Sequence, residues 1–180
     1  MGRLIEYTLV SADGVFEDPV VGMGVGEYQD DAYLRDALGV FMASDAMLFG
    51  RRTYEAFAAL YMPGRDRPYA DRINAIRKYV FSSTLDRVEW TNSVLLRGDA
   101  VSEVARLKEQ DGGTLLIPGH GLLTETLMRA GLIDAIELAI HPVLLGRGKQ
   151  LFREGQQVSL RLVAAKTFSK IVKLTYEPQP

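Results

Sequence analysis

The chain has 180 residues, of which 47% are hydrophobic and 24% charged, with a formal net charge of −2 and no cysteine. This length suits one domain over residues 1–180, with enough apolar material for a core. The small negative charge gives no general attraction to nucleic acid or anionic lipid, and the lack of cysteine excludes disulfides and thiolate metal sites. No apolar stretch could span a bilayer and the first residues are unlike a signal peptide, so we expect a cytoplasmic protein without a membrane partner.

The first quarter of the chain is predicted to contain a strand, a long loop and a helix. Residues 4–10 mix β-branched and aromatic residues typical of a strand, and Asp13-Gly14 after them is a turn signal. The glycine-rich loop that follows lacks the third glycine of G-x-G-x-x-G, because Glu27 stands there. We interpret it as a mobile lid, with a disordered surface loop as the alternative. Residues 30–43 show apolar positions at helical spacing.

The next short apolar strand, residues 47–49, leads through Gly50 and a predicted turn over residues 51–54 into a helix that reaches Leu60. A strand, a glycine turn and a helix start place free backbone N–H groups at the edge of a sheet, where they and the helix dipole bind anions. Arg51 and Arg52 add positive charge there. The pattern predicts a phosphate site, and an ordinary turn with solvated arginines is the alternative.

The remaining chain alternates short strands with helices and then ends in strands. Further strands are predicted at residues 79–81, 93–96, 114–117, 135–140, 160–166 and 171–176. Further helices are predicted at residues 69–77, 99–111 and 122–129. This order predicts an α/β fold with a mainly parallel sheet covered by helices and an antiparallel C-terminal edge hairpin.

Three predicted strand ends lead into polar or glycine-rich turns at what would be one edge of this sheet. The turns are Gly50–Thr53, Ser82–Thr84 and Pro118–Gly121. Ligands of open α/β sheets bind beyond the carboxyl ends of the strands. Together the three turns describe a groove with two helix N-termini and a hydroxyl cluster, which suits a diphosphate and a phosphorylated ribose.

The stretch Gly50-Arg51-Arg52-Thr53-Tyr54-Glu55 resembles the Gly-Arg-x-Thr-Tyr-Glu signature of the dihydrofolate-reductase-like superfamily. The similarity is greatest to the branch named for the C-terminal reductase domain of the bifunctional riboflavin-biosynthesis deaminase/reductase. Five further stretches resemble this branch in the same order, namely residues 11–14, 81–83, 117–121, 131–134 and 142–152. The resemblance implies a dihydrofolate-reductase-like three-layer α/β/α fold.

The resemblance also implies NADPH as coenzyme. The residues that would hold it are Gly50, Arg51, Arg52, Thr53, Ser82, Ser83, Pro118, Gly119, His120, Gly121 and Leu122. Arg51, with Arg52 in support, would favour NADPH over NADH by pairing with the extra phosphate. Alternatively, Ser82 and Ser83 only cap a turn, and His120, which stands where the family usually has a small residue, is a spacer.

The candidates for acid/base chemistry are Asp13 and Asp31. Folate reduction uses one buried acid on the helix after the mobile loop, and Asp31 lies near that place in the sequence. An aspartate at a helix start is commonly a cap, and Asp13 has the alternative role of turn former. The two histidines, His120 and His141, are far apart in sequence, and with no H-E-x-x-H spacing we expect no metal site.

The function implied is reduction of a small pyrimidine- or pterin-like substrate with NADPH, similar to 5-amino-6-(5-phosphoribosylamino)uracil reductase. We expect no deaminase domain before this chain, which favours a free-standing homologue with another substrate no less than a role in riboflavin synthesis. Dihydrofolate reductase activity is one alternative, and a non-catalytic nucleotide-binding or dimeric scaffold is another. The apolar C-terminal strands predict pairing of two copies into a homodimer, as in family relatives.

Overall fold

The computed structural model describes residues 1–17, 25–62, 64, 70–151 and 157–179. These residues form ten β-strands, five α-helices and a 3-10 helix. In chain order they are β1 (Arg3–Ser11), β2 (Val15–Glu17), the 3-10 helix (Val25–Tyr28), α1 (Asp31–Met42), β3 (Ala46–Gly50), α2 (Arg51–Tyr61), α3 (Ala70–Ala75), β4 (Arg77–Phe81), β5 (Ser93–Leu96), α4 (Ala100–Asp111), β6 (Thr114–Pro118), α5 (Leu122–Arg129), β7 (Ala135–His141), β8 (Lys149–Gln150), β9 (Leu160–Thr167) and β10 (Val172–Pro178).

Eight of these strands form one sheet in the order β5-β4-β3-β6-β1-β7-β10-β9. The six strands from β5 to β7 pair in parallel. β10 pairs antiparallel with both β7 and β9. The predicted mainly parallel sheet with an antiparallel C-terminal hairpin is therefore confirmed. Since all six parallel strands run the same way, their carboxyl ends meet at one edge, where β1, β3 and β6 lie side by side.

The sheet is covered on both faces, because its central strands alternate apolar side chains between two cores. In β3, Met47 and Phe49 pack into the core that includes Tyr33 of α1, whereas Leu48 packs on the opposite side with Val104 of α4 and Leu127 of α5. Successive side chains of a strand point to opposite faces, so both faces require apolar residues and helices to cover them. The result is the predicted arrangement of three α/β/α layers.

Helix α2 begins directly after β3, so the prediction of a turn over residues 51–54 was wrong. Gly50 has extended backbone angles and is the N-cap of the helix, whose first residue is Arg51. A residue with extended angles already turns the chain into a helix when its own carbonyl accepts the first helical hydrogen bond, so no separate turn is needed. This correction places the start of α2 at the edge of the sheet.

The central part of the glycine-rich loop, residues 18–24, lies outside the described residues, so the lid interpretation stays a prediction. Residues 63 and 65–69 also lie outside them, including the first residue of the helix predicted at 69–77. The end of the glycine-rich loop forms the 3-10 helix. Of the helices that the structure describes, none is both long enough and apolar enough to cross a membrane. The assignment of residues 1–180 to one domain stays a prediction.

In β4, one lysine is enclosed by backbone carbonyls and an indole ring. Lys78 is fully buried. Its Nζ donates hydrogen bonds to the carbonyl oxygens of Asn74 (3.1 Å), Ile76 (2.7 Å) and Thr91 (3.3 Å). It also lies 4.4 Å from the ring centroid of Trp90. Burial lowers the pKa of Lys78 to about 8, because the charged amine is disfavoured away from water.

The lowered pKa of Lys78 predicts a stability gain at alkaline pH. Between its folded pKa of about 8 and its ordinary value of 10.5, the unfolded chain binds more protons than the folded chain. The free energy of unfolding therefore rises across this window, by about 3 kcal/mol in total. Lys78→Met abolishes this increment. Urea denaturation of both proteins at the two ends of the window measures it, and identical pH dependence in the two proteins would contradict the prediction.

Candidate coenzyme site

A cavity of about 650 Å³ opens at the carboxyl edge of the sheet, between the starts of α2 and α5. Its inner wall includes Leu48 of β3 and Ile117 of β6, and its outer wall includes Phe16 of β2 and Lys149 of β8. Nine of the eleven residues that the resemblance assigned to the coenzyme line this cavity, namely Gly50, Arg51, Arg52, Thr53, Pro118, Gly119, His120, Gly121 and Leu122. The structure thus brings two separate sequence motifs into one concave site.

Helices α2 and α5, whose first turns line the cavity, both begin without a side-chain cap. Gly50 is the N-cap of α2 and Gly121 is the N-cap of α5, and neither helix start has a hydrogen bond from a capping side chain. The first N–H groups of a helix have no intrahelical acceptor, so an uncapped start needs an acceptor from elsewhere. These two starts are suited to bind an anion such as a diphosphate.

Arg51 connects the start of α2 to the turn after β4. Its Nη1 donates to Thr84 Oγ1 at 3.1 Å, and its Nε lies 3.7 Å from Glu55 Oε1. Ser82 Oγ accepts from the N–H groups of Thr84 (3.1 Å) and Leu85 (3.0 Å), which is the turn-capping alternative for this serine. Ser82 and Ser83 do not line the cavity, but they lie near the end of the cavity where Arg51 is found.

Ser83 is exposed. Its carbonyl oxygen accepts a hydrogen bond from Arg97 Nη1 at 3.4 Å. Phe81, the last residue of β4, is the member of this segment that lines the cavity.

The turn after β6 is held against β1 by its backbone. Gly119 N donates to Tyr7 O at 2.7 Å. Gly119 has φ +86°, and a Cβ there would lie 3.8 Å from Thr53 Cγ2, so the two halves of the cavity approach closely at this point. A residue other than glycine rarely adopts this φ. The turn therefore depends on glycine for its backbone conformation.

The side chain of His120 points inward from this turn. Its Nδ1 lies 2.7 Å from Glu6 Oε1 of β1, and its ring packs edge-on against Phe16 with centroids 5.1 Å apart. The spacer interpretation of His120 therefore does not describe its contacts. Our reading of the sequence did not include Glu6 among the site residues. The available signal was a glutamate within the apolar run of β1, where a fully buried carboxylate requires a partner.

Asp13 joins two loops beside the cavity. Its carboxylate accepts hydrogen bonds from Ser11 Oγ (2.5 Å), Gly146 N (2.7 Å) and Leu145 N (3.2 Å). The bonds from Ser11 and Gly146 lower the pKa of Asp13 to about 2, because they favour the ionised form. At neutral pH this carboxyl carries no proton to donate. Its contacts are those of the turn former that the sequence offered as the alternative.

Asp31 is the exposed first residue of α1 and does not line the cavity. The cap of α1 is the preceding residue, Asp30, whose carboxylate accepts from Tyr33 N at 2.8 Å and from Ser169 N at 3.0 Å. The structure therefore does not bring Asp13 and Asp31 together, and a catalytic role for either stays a prediction. Within the described part of the chain, no group of three or more histidine, cysteine, aspartate or glutamate side chains could hold a metal ion.

Strands β2 and β8 form a small antiparallel sheet that closes the outer wall of the cavity. Lys149 Nζ pairs with Glu17 Oε2 at 2.5 Å, and both residues line the cavity. Two further bonds, Ala12 N to Val143 O (2.9 Å) and Leu151 N to Gly14 O (2.8 Å), join the same two segments. Residues 11–14 and 142–151, two of the stretches that carry the family resemblance, therefore hold each other in place.

A scan against protein-family models matches residues 4–174 to the RibD C-terminal domain. The chain belongs to this family. It is 31% identical over 139 residues to the uncharacterized protein YyaP of Bacillus subtilis (strain 168), a match that covers 73% of each chain. The family predicted from the sequence motifs is therefore confirmed.

Two solved structures of low sequence identity show how widely this RibD-type fold is shared. A crystal structure of a protein named for riboflavin biosynthesis from Shewanella sp. PV-4 superposes with a TM-score of 0.75, 22% identity and 99% coverage of both chains. Dihydrofolate reductase from Enterococcus faecalis, complexed with NADP(H) and RAB-propyl, superposes with a TM-score of 0.63, 18% identity and coverage of 99% of this chain and 98% of that chain. The predicted dihydrofolate-reductase-like fold is confirmed.

The contact between β2 and β8 predicts a severe effect of Gly148→Ala. Gly148 has φ +107°, and a Cβ there would lie 2.6 Å from both Glu17 O and Val15 Cγ1. Backbone strain and overlap together are expected to lower the free energy of unfolding by about 2–4 kcal/mol. Gly131→Ala is the matched control, because Gly131 also has a positive φ but has open space around the added methyl group.

Urea denaturation of both variants measures the difference. The control loses only the strain of a positive φ, about 1–2 kcal/mol. Equal losses in the two variants would contradict the close contact at Gly148.

Proposed function

We propose that this protein is an NADPH-dependent reductase that transfers hydride to a small pyrimidine- or pterin-like substrate. The observation that carries the proposal is the single cavity that gathers two uncapped helix starts, two arginines and the glycine turn after β6. When bound, the dihydronicotinamide supplies the hydride. The chain itself binds and orients the two reactants, and its apolar cavity walls exclude water.

The charges around the start of α2 support the choice of coenzyme. Arg51 and Arg52 both line the cavity next to N–H groups that favour an anion. Arg51 is already turned towards the end at which Ser82 and Thr84 lie. A guanidinium at this end can pair with the extra phosphate that distinguishes NADPH from NADH.

Membership of the RibD C-terminal domain family supports a substrate like the ribosylaminopyrimidine of riboflavin synthesis.

In the direct test, the purified chain is incubated with NADPH or NADH and coenzyme fluorescence is followed. A second arm adds the ribosylaminopyrimidine or dihydrofolate and follows coenzyme oxidation. Oxidation with the pyrimidine supports the proposal, and oxidation with dihydrofolate alone supports the folate alternative. Coenzyme binding without any turnover supports a non-catalytic scaffold, and no binding of either coenzyme contradicts the whole proposal.

Cytoplasmic location stays a prediction.

Substitution of the two arginines tests the coenzyme preference. We expect Arg51→Gln and Arg52→Gln each to raise the Kd for NADPH about tenfold and that for NADH less than about twofold, because a partly exposed charge-assisted hydrogen bond to phosphate is lost. Arg87→Gln is the matched control, since Arg87 pairs with Glu89 on the surface and does not line the cavity. Equal losses for both coenzymes would contradict the assignment of the extra phosphate to this end.

We also propose that two copies pair through the C-terminal edge of the sheet. Among the described strands, β9 pairs only with β10, so its other edge carries unpaired backbone groups. Leu162 and Val163 are 54% and 46% exposed, at the point where the register of β9 with β10 shifts by one residue. An edge strand with exposed apolar side chains is a template for pairing with a second strand.

A charge on this edge tests the pairing. We expect the wild type to show twice the chain mass by size-exclusion chromatography with light scattering, and Leu162→Lys to show the mass of one chain, because a lysine on an edge strand opposes pairing. Leu60→Lys on α2 is the control with similar exposure of the original side chain. A monomeric wild type, or a Leu162→Lys variant that stays dimeric, would contradict the proposal.

A further inference from the structure

The imidazole of His120 lies between two buried carboxylates. Its Nδ1 is 2.7 Å from Glu6 Oε1 and its Nε2 is 4.0 Å from Glu125 Oε1. The side chains of Glu6, His120 and Glu125 are only 1%, 6% and 9% exposed. Thr8 Oγ1 also donates to Glu6 Oε1 at 3.0 Å. These contacts form a polar cluster within the apolar layer between the sheet and α5.

The cluster ties together three elements that meet at the coenzyme turn. Glu6 belongs to β1, where it lies beside Ile117 of β6, and Glu125 belongs to α5. His120 is in the turn between β6 and α5 and is the member of the cluster that lines the coenzyme cavity. A contact from Glu6 to His120 therefore connects the central strand of the sheet to the cavity wall.

Gly119 N already donates to Tyr7 O of β1, and the side chain of His120 adds a second anchor to a turn in which glycines flank this residue. Gly119 and Gly121 have φ values of +86° and +157°, and glycine loses more conformational freedom on ordering than any other residue. A turn of this kind has many alternative conformations when it is not held. Holding it before the ligand arrives removes part of the ordering cost from binding.

Stability alone does not account for the cluster. Glu6 Oε2 and His120 Nε2 are buried without a hydrogen-bond partner among the described residues. Buried polar clusters can often be replaced by well-packed apolar residues with no loss, or with a gain, in stability. The cluster is surrounded by apolar side chains of β1 and α5, against which apolar replacements could pack. The chain nevertheless has two glutamates and a histidine there.

We infer that Glu6 is a positioning residue for coenzyme binding, which acts through His120 to hold the turn at residues 118–121 in its binding conformation. The inference rests on the proposed function, since it assumes that a nicotinamide coenzyme occupies the cavity. Glu6 does not line the cavity, so its effect on affinity passes through the imidazole.

A double-mutant cycle on Glu6 and His120 tests this coupling, with the Kd for NADPH as the measured quantity. We expect Glu6→Leu and His120→Ser each to raise the Kd about tenfold, because either change releases the turn. Glu6→Gln is expected to raise it less than about threefold, since the amide can still form a hydrogen bond with Nδ1. In the His120→Ser background, Glu6→Leu has no further effect.

Two measurements separate positioning from a loss of folding. Leu107→Ala creates a cavity in the core at α4, at a residue that does not line the coenzyme cavity, and lowers stability with no expected change in the Kd. Because the chain has two histidines, a nitrogen-15 spectrum of the imidazole groups resolves His120 from His141. Glu6→Leu is expected to shift the Nδ1 signal of His120 and to leave that of His141 unchanged.

The outcomes distinguish this inference from the proposed function. If the wild type binds NADPH and Glu6→Leu binds it equally well, the inference alone is overturned. Additive losses in the double mutant, or a loss in Leu107→Ala equal to that in Glu6→Leu, also overturn it. If the wild type binds neither NADPH nor NADH, the proposed function fails and the inference fails with it.

Discussion

The site depends on backbone N–H groups at two helix starts that no side chain caps. Gly50 and Gly121 occupy the N-cap positions where serine, threonine or aspartate would otherwise supply an oxygen. By contrast, α1 and α4 have aspartate caps, Asp30 and Asp99. The uncapped starts of α2 and α5 both line the cavity, beside Ala100 at the capped start of α4. An anion bound there satisfies groups that the fold leaves without an acceptor.

The geometry of this site is maintained by contacts from the opposite side of the cavity. The segments around Asp13 and Gly148 bind each other through backbone bonds and place Phe16, Glu17 and Lys149 along the outer wall. Phe16 in turn packs on His120, whose imidazole contacts the carboxylate of β1. His120 therefore contacts both the outer wall and the central strand from its place in the glycine turn.

Much of this arrangement was predictable from the sequence, for reasons that are local. The run at residues 47–49 before Gly50 fixes a buried strand, and parallel strands bring their carboxyl ends to one edge, so the two glycine motifs had to converge. The sequence did not reveal β2 and β8, because strands of three and two residues have no detectable periodicity. Nor did it pair Glu6 with His120, since 114 residues separate them and only the register of β1 and β6 brings them together.

We propose above all that backbone N–H groups at the start of α2 bind the diphosphate of a nicotinamide coenzyme. A titration of nitrogen-15-labelled protein with NADP⁺, followed through the backbone amide signals, tests it most directly. The account predicts large, saturable shifts at residues 51–53 and 119–121, with small shifts at the exposed edge strand β9. Saturable shifts confined to other parts of the sheet, or no shifts at all, would contradict it.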